Sequence, residues 1–387
     1  MATSAIDLPR VIMTDAAEAL RAEVREFIAS ELATGGFRPT VDSWLSGVDP
    51  AFSKRLGERG WLGMTWPARY GGQERSTLER YVVIEELLAA GAPVAAHWVA
   101  DRQSGSNILA FGSDHLKEMI LPRIAAGECF FAIGMSEPDA GSDLASIRTR
   151  ARRNADGDWV VSGAKIWTSN AQHCHYAIVL VRTADKDDRN RHAGMSQLVV
   201  DLASDGIAIN PIAILDGTQH LNEVVFDDVV VPAAMLLGTE GDGWRQVTAE
   251  LAHERSGPER FMSTFALLEE YFQLVRATAA SDQLELLGML SARFLALREL
   301  STRVAGELDR GALPNVAAAM VKDMGTAFEV DSVDALSTAT VPERGAGAGD
   351  GFPDLLRLAQ LHAPGFTLRG GTNEVLRSIV YRGLEGA

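Results

Sequence analysis

The hydrophobic period of this 387-residue chain changes twice, and those two changes limit its architecture more than any other feature. Up to about residue 127 apolar residues recur at helical spacing. Leu20, Val24, Phe27, Ile28 and Leu32 form one stripe behind a candidate N-cap, Thr14. A turn-rich stretch, GWLGMTWPARYGG, interrupts the pattern with Pro67 and paired glycines. Helical spacing resumes in TLERYVVIEELLAAG and SDHLKEMILPRIAAGE. From about 130 to 238 the segments are short and β-rich: CFFAIGM, DWVVSGAKIWT, YAIVLVRT, SQLVVDL and NEVVFDDVVV, with Asp156-Gly157 as a turn. The helical period returns at Asp242 and holds to the end. It is broken by GAGAGDG (345–351) and by Gly370-Gly371 before a last helix. The order predicts an α+β fold with a helical domain over 1–128, an antiparallel β domain over 129–240 and a helical domain over 241–387. No repeat of 20–50 residues is present.

Composition narrows the function classes. Hydrophobic residues make up 47% and charged residues 23%, the balance of a globular chain. The formal charge of −16 argues against nucleic acid or an anionic membrane as partner. It still allows an anionic cofactor, which needs only local N–H groups and a few arginines. No apolar run is long enough to span a bilayer, and the N-terminus lacks a basic start followed by an apolar core. Cys129 and Cys174 have no metal-ligand spacing, so the expected setting is a reducing cytoplasm with no metal centre.

Two segments carry candidate chemistry. FAIGMSEPDAGSD (131–143) starts as an apolar strand, turns at Pro138 and Gly141-Ser142, and offers the Ser136 and Ser142 hydroxyls beside backbone N–H groups. About 25 residues later, GAKIWTSN (163–170) ends a strand on Trp167 and three small polar residues. A strand-to-loop edge of this kind can hydrogen-bond a flat, polar-edged ring and set an acyl group beside it. Taken singly, each has a plainer reading: a Pro turn with solvated acids, a core aromatic at Trp167, a turn hydroxyl at Ser169. Near the C-terminus, Gly370-Gly371-Thr372 reads either as a loop and N-cap or as a helix N-terminus with free N–H groups for a phosphate or ring edge.

Four segments in order, GWLGMTWPARYGG, GMSEPDAGSD, GAKIWTSN and FTLRGGTNEVLRSIVYRGL, resemble the acyl-CoA dehydrogenase family over nearly the whole chain. The resemblance implies three domains, bound FAD, an acyl-CoA substrate, electron-transfer flavoprotein as acceptor and a homo-tetramer or homo-dimer. It implies flavin contacts at Met135, Ser136, Gly141, Trp167, Ser169, Gly371, Thr372 and Asn373. It implies thioester contacts at Ser142, Arg255 and Gly370. The implied reaction is α,β-dehydrogenation: a carboxylate takes the α-proton while hydride leaves to flavin N5, where a donor such as Ser169 stabilises developing charge.

The base departs from the commonest family pattern. Many members carry it directly before the Gly-Thr of the C-terminal turn, where this chain has Gly370. A second arrangement, in isovaleryl-CoA and long-chain dehydrogenases, places it on the first C-terminal helix. VTAELAHERSGPERF then makes Glu254 the base, beside Arg255. The plain alternative is a surface acid, with Glu250 at i−4 and Arg255 or Arg260 as partner. The second C-terminal helix lacks the family's Arg, Phe-Gly and Gln, so no inter-subunit flavin contacts are assigned. Three alternatives stay open: an oxidase, monooxygenase or desulfinase; a dehydrogenase of carrier-protein-bound acyl groups; or a non-catalytic partner subunit.

Overall fold

A computed structural model of the chain describes residues 8–187, 189–278, 280–339 and 351–385; the side chains of 250–254, 277 and 278 lie outside that description. Residues 345–350 of the glycine-rich break are likewise outside it. The chain divides into two compact units, each assembled from separated stretches: 1–47, 76–93 and 252–387 in one, 48–75 and 94–251 in the other.

The first unit is helical. Asp15–Ala33 starts at Thr14, whose hydroxyl accepts from the Ala17 N–H at 3.2 Å, as the sequence suggests. Leu20, Val24, Phe27 and Ile28 are buried, whereas Leu32, in the last turn, is exposed. Ser76 and Glu79 close a capping box at the head of Thr77–Ala89, satisfying two otherwise unpaired N–H groups. The two helices are joined by buried charge: Arg21 donates to Glu85 at 2.7 Å and to Glu86, and Arg298 donates to Glu85 at 2.6 Å. The long helices Ser281–Asp309 and Asn315–Thr338 pack on each other, and Asn315–Thr338 also carries Phe352–Phe366 and the last helix, Asn373–Glu385.

The second unit holds an eight-stranded sheet: β1 Phe131–Gly134, β2 Arg150–Arg153, β3 Trp159–Ser169, β4 Tyr176–Arg182, β5 Met195–Asp201, β6 Ile207–Ile212, β7 Leu221–Val231 and β8 Leu236–Leu237. The order is β6-β7-β3-β2-β4-β5-β8, with β1 on β4. The sheet is not wholly antiparallel. β1 pairs with β4 in parallel, Phe131 opposite Tyr176, and β2 touches β4 in parallel at Arg150 and Arg182. The reason is connectivity: the β2–β3 pair intervenes in sequence, so the chain returns to β1 by a crossover rather than a hairpin. Trp159, Phe131, Val161, Val179, Leu198 and Val229 fill the core, together with Leu116, Ile120 and Ile124 of Asp114–Ala125. Burying a side chain of this size contributes roughly 1.5–3 kcal/mol. No helix among the described residues is long and apolar enough to cross a membrane.

Candidate active site

The end of β1 and the end of β3 meet through main-chain and buried charged contacts. The Ile166 N–H donates to the Ser136 carbonyl at 2.9 Å. Lys165 Nζ donates to the Met135 carbonyl at 3.1 Å and to Glu137 Oε1 at 2.8 Å. Glu137 also accepts the Arg148 N–H at 2.6 Å and the Thr149 N–H at 2.9 Å. Its main chain and that of Ala140 exchange two bonds, at 2.9 and 3.0 Å, closing a tight turn over Pro138 and Asp139. Glu137 is thus the knot of the loop and not a solvated acid. Burial opposes its charge. Lys165 and the bonds from Thr149 and Arg148 outweigh that, and its carboxyl sits below the usual carboxylate range. Burial, partly offset by Glu137, pushes the Lys165 ammonium down to about 8.

Neither residue was singled out in the sequence, yet a signal existed. In β3, Trp159, Val161 and Lys165 share the inward register, so a lysine there demands an internal counter-charge.

Trp167 is not a core aromatic. It is 55% exposed and has φ +61°. Its backbone lies in a bulge: Lys165 pairs with Val224 and Thr168 with Asn222, so two β3 residues oppose one of β7. A tryptophan in the left-handed region costs of order 1–3 kcal/mol and persists only where surrounding structure enforces it, a pattern concentrated at functional sites. Asn222 enforces it here, donating from Nδ2 to the Thr168 carbonyl at 3.0 Å and to Gln172 at 2.6 Å. Ser136 and Ser169 are half-buried and Ser142 and Gly141 exposed; among the described residues none bonds to these three hydroxyls. An indole presented to solvent and free hydroxyls on adjoining strand ends suit the face and polar edge of a flavin ring, so the residues present fit FAD.

The helical unit brings together the other set. Gly370 and Gly371 have φ +66° and +96°, so both glycines are required by the turn itself. Arg255 Nε donates to the Gly370 carbonyl at 3.3 Å, which unites two of the predicted thioester residues. Lys322, fully buried, donates to the Gly371 carbonyl at 2.7 Å, the Thr367 carbonyl at 3.3 Å and Asn373 Oδ1 at 3.0 Å. Thr372 caps the last helix, accepting the Val375 N–H at 3.4 Å. Asn373 is buried and tied to the Asn315–Thr338 helix, also taking a bond from Thr326 at 3.2 Å. Upstream, Arg369 donates to Asp42 at 2.7 Å and lies over the Trp44 and Phe366 rings. Asp42 also meets His362 Nδ1 at 3.0 Å. Burial works against the Asp42 charge, but Arg369 and His362 hold it down at about 2.

Glu254 is the last residue of Gly243–Glu254, and its side chain, like that of Glu250, lies outside the described residues. Arg260 is buried over the Trp44 ring. Arg377 bonds Asp323 at 3.2 Å.

The β unit carries the candidate ring-binding edge and the helical unit the candidate glycine turn, and comparison with known proteins gives the family. Models of the acyl-CoA dehydrogenase N-terminal, middle and C-terminal domains match residues 14–128, 132–229 and 241–385, and the chain belongs to that family of FAD-dependent dehydrogenases. Acyl-CoA dehydrogenase FadE26 of Mycobacterium tuberculosis (strain ATCC 25618 / H37Rv) is 34% identical across 96% of this chain and 97% of its own. FadE29 of the same organism is 33% identical across 93% and 94%. Among solved structures, the Tcur3481-Tcur3483 steroid ACAD is 29% identical with a TM-score of 0.83, covering 97% of this chain and 99% of that one. The ChsE4-ChsE5 complex from M. tuberculosis is 30% identical with a TM-score of 0.80, covering 98% and 99%.

Proposed function

We propose that this chain is a catalytic acyl-CoA dehydrogenase subunit that forms an α,β double bond in a CoA thioester, with Glu254 as base. The contact from Arg255 to the Gly370 carbonyl carries the reading. It ties the residue directly after Glu254 to the turn where many relatives carry their base and this chain carries glycine.

Bound FAD would supply the hydride acceptor. The chain's own residues do the rest. The Gly370 N–H donates to the thioester carbonyl oxygen, which stabilises enolate character and makes the α-proton removable by a carboxylate. Glu254 takes that proton. Trp167 would lie against the ring, and Ser136, Ser169 and Met135 would hold its polar edge. Gly371 and Thr372 would hold the cofactor at the head of the last helix, with Asn373 anchoring that turn to the helix behind, while Gly141 and Ser142 would meet the pyrophosphate and CoA arm. Electron-transfer flavoprotein reoxidises the enzyme.

Two of the solved structures favour a finer reading than a homo-oligomer. Both are described as pairs of chains, and one of them as a steroid ACAD. With the missing Arg, Phe-Gly and Gln of the second C-terminal helix, they support assembly with a second, different acyl-CoA dehydrogenase chain and a substrate whose acyl group bears a steroid-like ring system.

A panel of linear, branched and steroid-side-chain CoA thioesters, added anaerobically to the yellow protein, tests the proposal. Bleaching confined to ring-bearing thioesters is the expected result. No bleaching with any thioester would overturn it, and rapid reoxidation by air would move the protein to the oxidases or monooxygenases. Ser169→Ala is expected to slow bleaching about 10- to 100-fold with little change in Tm, because one charge-stabilising donor is lost. Unchanged reduction kinetics would remove Ser169 from the site.

A further inference from the structure

The Gly370–Gly371 turn is held from behind by two cations. Arg255 grips the Gly370 carbonyl at 3.3 Å and Lys322 grips the Gly371 carbonyl at 2.7 Å. These oxygens belong to the peptide units whose N–H groups are those of Gly371 and Thr372. Among the described residues, none of the Gly370, Gly371 and Thr372 N–H groups donates to a main-chain carbonyl. A cation bonded to the oxygen of a peptide unit polarises the unit and makes its N–H a stronger donor. It also fixes which way the unit faces, since carbonyl and N–H point in opposite directions.

Lys322 is placed for this task. Its ammonium is buried, and its three protons reach three oxygens of the same turn: Thr367 before the glycines, Gly371 within them and Asn373 Oδ1 after them. Thr326, one helical turn on, bonds the same Asn373 oxygen at 3.2 Å. The helix behind therefore presents a polar stripe shaped to the turn. Burying a lysine is costly unless every donor is used. A structural cap of the last helix needs much less than this, since Thr372 already provides one.

We propose that Lys322 is a positioning residue of the active site, which turns the Thr372 N–H outward and strengthens it as a donor to the flavin cofactor, as Arg255 does for the Gly371 N–H. This inference rests on the reading of the site given under Proposed function. Lys322→Met removes all three donors and frees the turn. It is expected to weaken FAD binding to the apoprotein about tenfold, measured by flavin fluorescence quenching. It is expected to lower the rate constant of thioester-driven bleaching on the order of 100-fold, the cost of a misplacement near 1 Å, while free CoA binds the holoprotein as before. Lys322→Gln, which keeps a neutral donor on a side chain one bond shorter, should fall between wild type and Met and serves if the Met variant does not fold. A purely structural lysine would lower Tm and leave the FAD affinity and bleaching rate of the folded fraction unchanged. That result in either variant overturns the proposal. Wild-type protein that takes up no FAD would overturn the reading of the site itself.

Discussion

Glu254→Gln is expected to leave the protein folded and yellow but to slow thioester-driven bleaching by about 10²–10⁴-fold, the usual contribution of a positioned base. Glutamine keeps the size of the side chain and cannot take the α-proton. Three observations support the proposal of Glu254 as base. Gly370 carries no base where many relatives do. Glu254 ends its helix one residue before Arg255, and Arg255 reaches the Gly370 carbonyl at 3.3 Å. The acid nearest in sequence to the turn, Glu374, is a poor base: its own main-chain N–H and Thr372 lower its pKa, and it is fully exposed. Stopped-flow bleaching of wild type and variant measures the effect, and near wild-type rates in the variant would move the base elsewhere.

Lys165→Met is expected to destabilise the β unit by about 3–5 kcal/mol, because it leaves the Glu137 carboxylate buried without its counter-charge. The loss should be accompanied by weaker FAD binding, since Lys165 also holds the Met135 carbonyl and Glu137 holds the loop that carries Gly141 and Ser142. The pH dependence has a definite sign. The Glu137 pKa in the folded chain lies below its ordinary 4.5. The unfolded chain therefore takes up the proton first as pH falls. The stabilisation is complete above about 4.5 and is lost as pH drops through the lowered value. Glu137→Gln should flatten that part of the acid-stability profile. A thermal-denaturation series across the acid range that is equally steep in both proteins would refute it.

A smaller effect arises at the C-terminal turn. Gly371→Ala should cost about 1–2 kcal/mol, because an L side chain is strained at φ +96°, while the added Cβ would meet Arg255 Nη2 at an ordinary contact distance of 3.4 Å. Chemical denaturation reads it directly.

Much of the fold was legible because it follows from local pattern. The Thr14 cap and the stripe of Leu20, Val24, Phe27 and Ile28 are statements about 3.6-residue spacing, and β3, β4, β5 and β7 lie on segments read as strands. The strands that escaped notice had reasons to. β2 is RARR, with only Ala151 buried; its arginines extend over the surface, and Arg153 lies 4.0 Å over the Trp159 ring. β6 contains Pro211, tolerated because the strand is at the sheet edge. The parallel pairing of β1 with β4 is a long-range choice that leaves no mark on either strand.

The sequence by itself determined the family and the order of helical and β-rich parts, and it marked the short segments proposed to carry chemistry, because motifs and periods are local properties of the chain. Only the tertiary structure decided what those residues do for one another. It turned Glu137 from a loop acid into the partner of a buried lysine. It put Trp167 outward on a bulge, and it set Lys322 and Arg255 behind a pair of glycines far away in sequence. Burial and pairing of charge depend on which elements come to lie side by side, and for these residues the partner is 28, 49 and 115 positions away.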